Sequence, residues 1–171
     1  IEIINKTIIN MGNVGVVISY TGKKGTDISG EEYQHGELVA EGERGVWEKP
    51  LLPGKYPFNT FAAKVIEVPT TNFILKWESN ASGSNFDRNL KEISLITKDA
   101  FEPTLPLSVV VHIDYKKAAK VIQRFGDIQQ LVEQTLDPMV SAYFKNTAQT
   151  KTLIELLQDR SEIQQKALAD M

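Results

Sequence analysis

The sequence predicts an α+β fold, with strands in its first two thirds and helices in the remainder. Two observations carry this expectation. Leu107 to Ile113 alternates, with Val109, Val111 and Ile113 facing one way and Val110 and His112 the other, which is the period of a half-buried strand. From Tyr115 onward the apolar residues instead recur about every 3.6 positions, the period of an amphipathic helix. The chain has 171 residues, 42% of them hydrophobic, enough for one packed domain. Residues 1–158 are therefore expected to form that domain, β-rich over 1–114 and helical over 115–158. Residues 159–171 would open a further helix.

The strand region reads in order. Val14, Val16, Val17, Ile18 and Tyr20 are β-branched or aromatic and are followed by a turn at Thr21-Gly22-Lys23-Lys24-Gly25. Asp27 to Glu43 is polar and rich in Gly and Glu, and reads as a loop or weak hairpin. Across Gly45 to Gly54 the prolines Pro50 and Pro53 argue against a central strand or a helix, and Pro53-Gly54 favours a turn. Ala63 to Val68 and Asn72 to Trp77 are strand candidates. Ser79 to Asn85 reads as a hairpin tip leading on to the strand Glu92 to Thr97. The aromatic residues Trp47, Phe58, Phe61, Phe73 and Trp77 are expected mainly in the core.

In the helical region, Lys116 to Phe125 carries Ala118, Ala119, Val121 and Ile122, with Gly126 as its stop. Asp127 is an N-cap for a helix whose apolar face is Ile128, Leu131, Val132, Leu136, Met139, Val140 and Tyr143. Pro138 lacks a backbone donor and predicts a kink, or a split after Asp137. A further helix is expected after Thr150, capped by Thr150, with Glu155 in its first turn and Leu153, Ile154, Leu156 and Leu157 along it. Asp159 to Met171 continues it without Gly or Pro and is strongly polar. Seven-residue spacing joins Leu153, Arg160 and Ala167, and likewise Leu156, Ile163 and Asp170, a coiled-coil pattern weakened by its charged positions. Leu153, Leu156, Arg160, Ile163 and Ala167 are the candidate oligomerisation residues.

Chemistry is sparse. A net charge of −3 with 24% charged residues gives no electrostatic reason to expect nucleic acid. There is no cysteine, so disulfides, thiolate nucleophiles and cysteine-held zinc are excluded. His35 lies near Glu31, Glu32 and Glu37; a solvated loop is the favoured reading over a carboxylate-rich metal site. His112 and Asp114 form a candidate acid–base couple for a hydrolase, against the commoner case of a histidine that simply packs. Gly22-Lys23-Lys24-Gly25-Thr26 lacks the spacing of a phosphate loop and opens no helix. The sequons at Asn5 and Asn80 are short matches of little weight. No cofactor or metal is expected. No apolar run reaches the length of a membrane span. The chain starts at Ile1 and its helical pattern still runs at Met171, so it is expected to be a soluble piece whose flanks carry an anchor and an assembly segment.

An ordered set of short motifs adds a resemblance. Gly12-Asn13-Val14-Gly15-Val16-Val17-Ile18, Gly45-Val46-Trp47, Pro53-Gly54-Lys55-Tyr56-Pro57-Phe58, Val65-Ile66-Glu67-Val68-Pro69, Ile96-Thr97-Lys98-Asp99-Ala100 and Leu107 to Ile113 occur in this order. Leu136-Asp137-Pro138-Met139-Val140 and Leu153 to Ile163 follow. Together they resemble the SPFH (Band 7) family: stomatins, prohibitins, flotillins and the bacterial HflK/HflC pair. Many members carry Arg where this chain has Ser141, and the segments Ser79 to Leu90 and Glu31 to Glu43 are longer here than in compact members. The resemblance implies a twisted antiparallel sheet with packed helices, leading into a C-terminal coiled-coil helix, and no catalytic residues. It also implies a membrane-associated scaffold, anchored through a segment this chain does not contain. Such a scaffold assembles as a homo-oligomeric ring or cage that organises membrane microdomains or restrains membrane-bound proteases. The alternative is a soluble cage protein of the vault-shoulder type.

Overall fold

The computed structural model describes residues 6–28, 38–79 and 86–170. The loop carrying His35, Glu31, Glu32 and Glu37, the hairpin tip from Asn80 to Asn85, and Asn5 lie outside the described residues. The chain divides into two compact units, one of Ile1–Phe73 and Val110–Leu131, the other of Ile74–Val109 and Val132–Met171. Each unit draws on both the strand-rich and the helical stretch of the sequence.

The first unit contains β1 (Thr7–Ile9), β2 (Asn13–Ser19), β3 (Lys23–Lys24), β4 (Leu38–Val39), β5 (Glu43–Trp47), β6 (Gly54–Tyr56), β7 (Ala63–Pro69), α1 (Ala118–Phe125) and α2 (Ile128–Leu131). β2 is its centre: it pairs antiparallel with β7 along its full length and with β5 at Ile18 and Ser19. Val14, Val16 and Val17 are buried on both faces of the strand, which is why the sequence there is a continuous apolar run rather than an alternation. Gly15 permits a close crossing. A Cβ at Gly15 would lie 2.3 Å from Ile9 Cδ1 and 2.9 Å from Val65 Cγ1, so the second glycine of the opening motif makes room for β1. α1 packs on β2, β4 and β5, burying Ala118, Ala119 and Ile122. It ends as expected at Gly126, whose φ is 81° and whose N–H donates to Ile122 O at 2.8 Å.

Several expectations need correction in this unit. Leu38 and Val39 are not loop residues but a fully buried strand, parallel to β5. Lys23 and Lys24 are likewise more than a turn, since they pair in parallel with Glu43 and Arg44. The sheet is therefore mixed rather than purely antiparallel. Two-residue strands carry no readable period, so alternation could not find them. Glu43–Trp47 is an interior strand despite Pro50 and Pro53; proline removes only its own backbone donor, and both prolines fall beyond the paired residues. Phe61 is 75% exposed and not in the core.

The second unit holds most of β8 (Phe73–Trp77), β9 (Ile93–Ser94), β10 (Thr104–Leu105) and most of β11 (Leu107–Val111), followed by a π-helical turn at Val132–Leu136, α3 (Asp137–Thr150), α4 (Leu153–Gln158) and α5 (Arg160–Asp170). β8 does not form the expected hairpin with the Glu92 to Thr97 strand. It pairs with β11, while β9 pairs antiparallel with β10. The alternation expected for β11 holds, with Leu107, Val109 and Val111 half-buried and Ser108 and Val110 exposed. Leu75 and Trp77 are fully buried, and Trp77 Nε1 donates to Asp137 Oδ1 at 2.7 Å, tying β8 to the start of α3.

The helices after Gly126 begin as expected: Asp127 Oδ1 accepts the Gln130 N–H at 2.7 Å. The response to Pro138 is a π turn before it and not a plain kink. The wider i→i+5 bonding accommodates a ring that lacks a donor and would clash with the carbonyl four residues back. Each residue of a π turn also advances less around the axis, which shifts the buried face. Val140, Phe144 and Ala148 are buried in α3, whereas Met139 is 41% exposed, correcting its place on the apolar face.

Candidate functional site

The chemistry-bearing residues of the second unit gather at the start of α4. The turn after β9 is closed internally: Phe101 N–H donates to Thr97 Oγ1 at 3.0 Å and Thr97 N–H to Phe101 O at 3.0 Å. Ala100 takes a φ of 63° at its tip, the conformation that favours glycine. The turn then clasps the α3–α4 junction. Lys98 N–H donates to Lys151 O at 3.0 Å, and the Asp99 carboxylate accepts the Leu153 N–H at 3.2 and 3.4 Å. That donor belongs to the first turn of α4 and has no partner within its own helix. The Thr97 hydroxyl, followed by backbone donors including Leu153, holds the Asp99 carboxyl below its usual range against an opposing desolvation.

Thr152, rather than Thr150, is the N-cap of α4. Its hydroxyl accepts the Glu155 N–H, and Glu155 Oε2 accepts the Thr152 N–H at 2.7 Å. This is a reciprocal capping box, and it lowers the Glu155 pKa, chiefly through the Thr152 backbone donor. Thr150 Oγ1 instead donates to Thr147 O at 2.8 Å. The Thr-x-x-Glu pattern is visible in the sequence and was the available signal.

α4 and α5 are not one straight helix. They are separated at Asp159, whose φ and ψ are −92° and 16°, and whose carboxylate bonds Lys151 Nζ at 2.6 Å. That bond is the main reason the Lys151 pKa is raised. α5 folds back along α3. Tyr143 and Asp170 line one cavity with Lys151, Glu162 and Lys166, and burial first, then the Asp170 charge, raises the Tyr143 pKa. The five candidate assembly residues thus take a specific placement. Ala167 is buried, Leu153, Leu156 and Ile163 are half-buried, and Arg160 is exposed. Leu153, Leu156, Arg160 and Ile163 border a second cavity alongside Phe144. The most exposed apolar side chains of these helices are Ile154, Leu157 and Leu168, at 66%, 70% and 82%.

The candidate acid–base couple is not assembled. His112 and Asp114 are both exposed, no hydrogen bond joins them, and Asp114 Oδ1 accepts the Lys116 N–H at 3.0 Å in the turn that leads into α1. Among the described residues no group of three or more His, Cys, Asp or Glu could hold a metal ion. No described helix is long and apolar enough to cross a membrane.

Fold and site together define an α+β domain whose polar residues brace helices and whose apolar residues remain available on the outer faces of α4 and α5. The SPFH domain / Band 7 family model matches residues 7–171, and the chain belongs to that family. No curated protein matches the sequence. The family is generally non-enzymatic and membrane-associated, which is consistent with a scaffold role in general.

Proposed function

We propose that this chain is a non-enzymatic scaffold domain that self-associates at a membrane and there organises microdomains or regulates membrane-bound partners such as proteases. The observation that carries the reading is the family match over 7–171, joined to an exposed apolar set on the terminal helices. Ile154, Leu157 and Leu168 project from α4 and α5 into solvent, and helices this short and polar gain stability from a partner. We assign the assembly contact to α4 and α5. With α5 packed on α3, the outer set meets a second copy; when α5 lifts, Leu153, Leu156, Ile163 and Ala167, with Arg160 at the edge, extend the contact.

Sedimentation of the 171-residue protein over a wide concentration range tests this. The weight-average mass should rise with concentration in the native protein and stay at the monomer value in the triple variant Ile154→Glu, Leu157→Glu, Leu168→Glu. A mass that rises equally in both removes α4 and α5 from the contact.

A further inference from the structure

The cavity beside α4 has the attributes of a ligand site. It encloses about 360 Å³, within the range of roughly 300–1,000 Å³ usual for small-molecule pockets. Leu95 and Leu105 come from the β9–β10 segment, Phe144 from α3, and Leu153, Leu156 and Ile163 from α4 and α5. Polar groups are few, and one of them is charged: the Arg160 guanidinium, with the Gln164 amide one turn further along α5.

Arg160 is exposed, and among the described residues no hydrogen bond or ion pair engages it. The acidic side chains of these segments make their own bonds to other groups. Asp159 is bonded to Lys151, Asp99 to Thr97 and Leu153, Glu155 to Thr152, and Glu162 lines the other cavity. An apolar chamber of this size therefore opens beside a guanidinium that makes no ion pair among the described residues.

We infer that this cavity binds a free aliphatic monocarboxylate of medium chain length, its tail among the leucines and its carboxylate on Arg160. The walls disfavour a peptide, because an extended backbone would bury several amide groups against a lining whose polar side chains are Thr104, Thr147, Arg160 and Gln164. A phosphate dianion would leave one charge uncompensated at a single guanidinium, whereas a carboxylate matches its planar fork. The walls are mostly aliphatic, which suits an unbranched chain. This inference goes beyond the scaffold reading and stands without it, since it needs only the folded second unit.

Calorimetric titration of the full 171-residue protein with sodium decanoate, below its micellar concentration, reads the binding directly. One saturable site is expected, with octanoate weaker by on the order of ten-fold for its two missing methylenes. Arg160→Gln should weaken decanoate by on the order of ten-fold or more while leaving decan-1-ol unchanged. Leu156→Trp, which fills the chamber, should abolish both, with circular dichroism confirming that each variant keeps its fold. If Leu156→Trp unfolds, Leu105→Phe serves as the filling variant. The inference is overturned by any of three results: no saturable decanoate binding, equal binding of decanoate in native protein and Arg160→Gln, or retention on phosphatidylcholine vesicles without binding of free decanoate.

Discussion

Ala100 holds a φ of 63° at the tip of the turn that clasps α4. An L-residue with a Cβ is strained there by about 1–2 kcal/mol, and glycine would relieve the strain while losing about 0.5–1 kcal/mol to greater freedom of the unfolded chain. Ala100→Gly should therefore stabilise the protein by about 0.5–1 kcal/mol, read as a higher urea midpoint at unchanged slope. The adjoining Asp99 makes an acid-sensitive contribution. Its folded-state pKa is depressed, principally by the Thr97 hydroxyl, so its stabilisation is complete above the ordinary aspartate pKa of about 3.9 and is lost as pH falls through the lower folded value. In Asp99→Asn that component is absent at every pH. The gap in urea midpoint between native protein and variant should be constant near neutrality and narrow steadily below pH 4. A gap that stays constant into acid would show that the Asp99 carboxylate does not hold the Leu153 N–H in solution.

At the scale of elements, α4 has only six residues, Leu153–Gln158, too short to persist without its ends satisfied. Thr152→Ala removes the cap and should cost about 1 kcal/mol, visible in thermal melting, whereas Thr150→Ala should cost less because Thr150 only bonds the Thr147 carbonyl. Elements fixed by local chemistry were legible in the sequence: the run Val14 to Ile18, the alternation of Leu107 to Ile113, the helix ending at Gly126 and the cap at Asp127. Elements fixed by distant pairing were not. Leu38-Val39 is too short to show a period, and nothing near β8 signals that its partner is β11 and not the next strand. The π turn misled for another reason, since a strict 3.6 period run through Pro138 places Met139 inside and passes over Phe144. Site residues divided the same way. The turn Thr97-Lys98-Asp99-Ala100 was recognisable as a motif, but its work on Leu153 depends on residues 54 positions away.

For the molecule as a whole, the heptad from Leu153 to Ala167 was legible while its interruption at Asp159 was not, because a spacing rule presumes a straight helix. The light packing of α5 has a dynamic consequence. α5 buries only Ala167 against the rest of its unit, and cavities of about 350 and 360 Å³ border it. By contrast, β2 is paired on both edges and buried on both faces. Local opening free energy follows such differences in burial and contact, so α5 amides should exchange with deuterium at least about 100-fold faster than those of β2. If α4 and α5 form the assembly contact, mass action couples that opening to concentration. Raising the protein concentration should then slow exchange in α4 and α5 and leave β2 and β7 unchanged. Hydrogen exchange followed by mass spectrometry at two concentrations a hundred-fold apart distinguishes the cases. Protection growing in α4 and α5 alone locates self-association on the terminal helices, protection growing instead at β1 and β6 moves the contact to the first unit, and protection identical at both concentrations means that this chain does not assemble through any of its described residues.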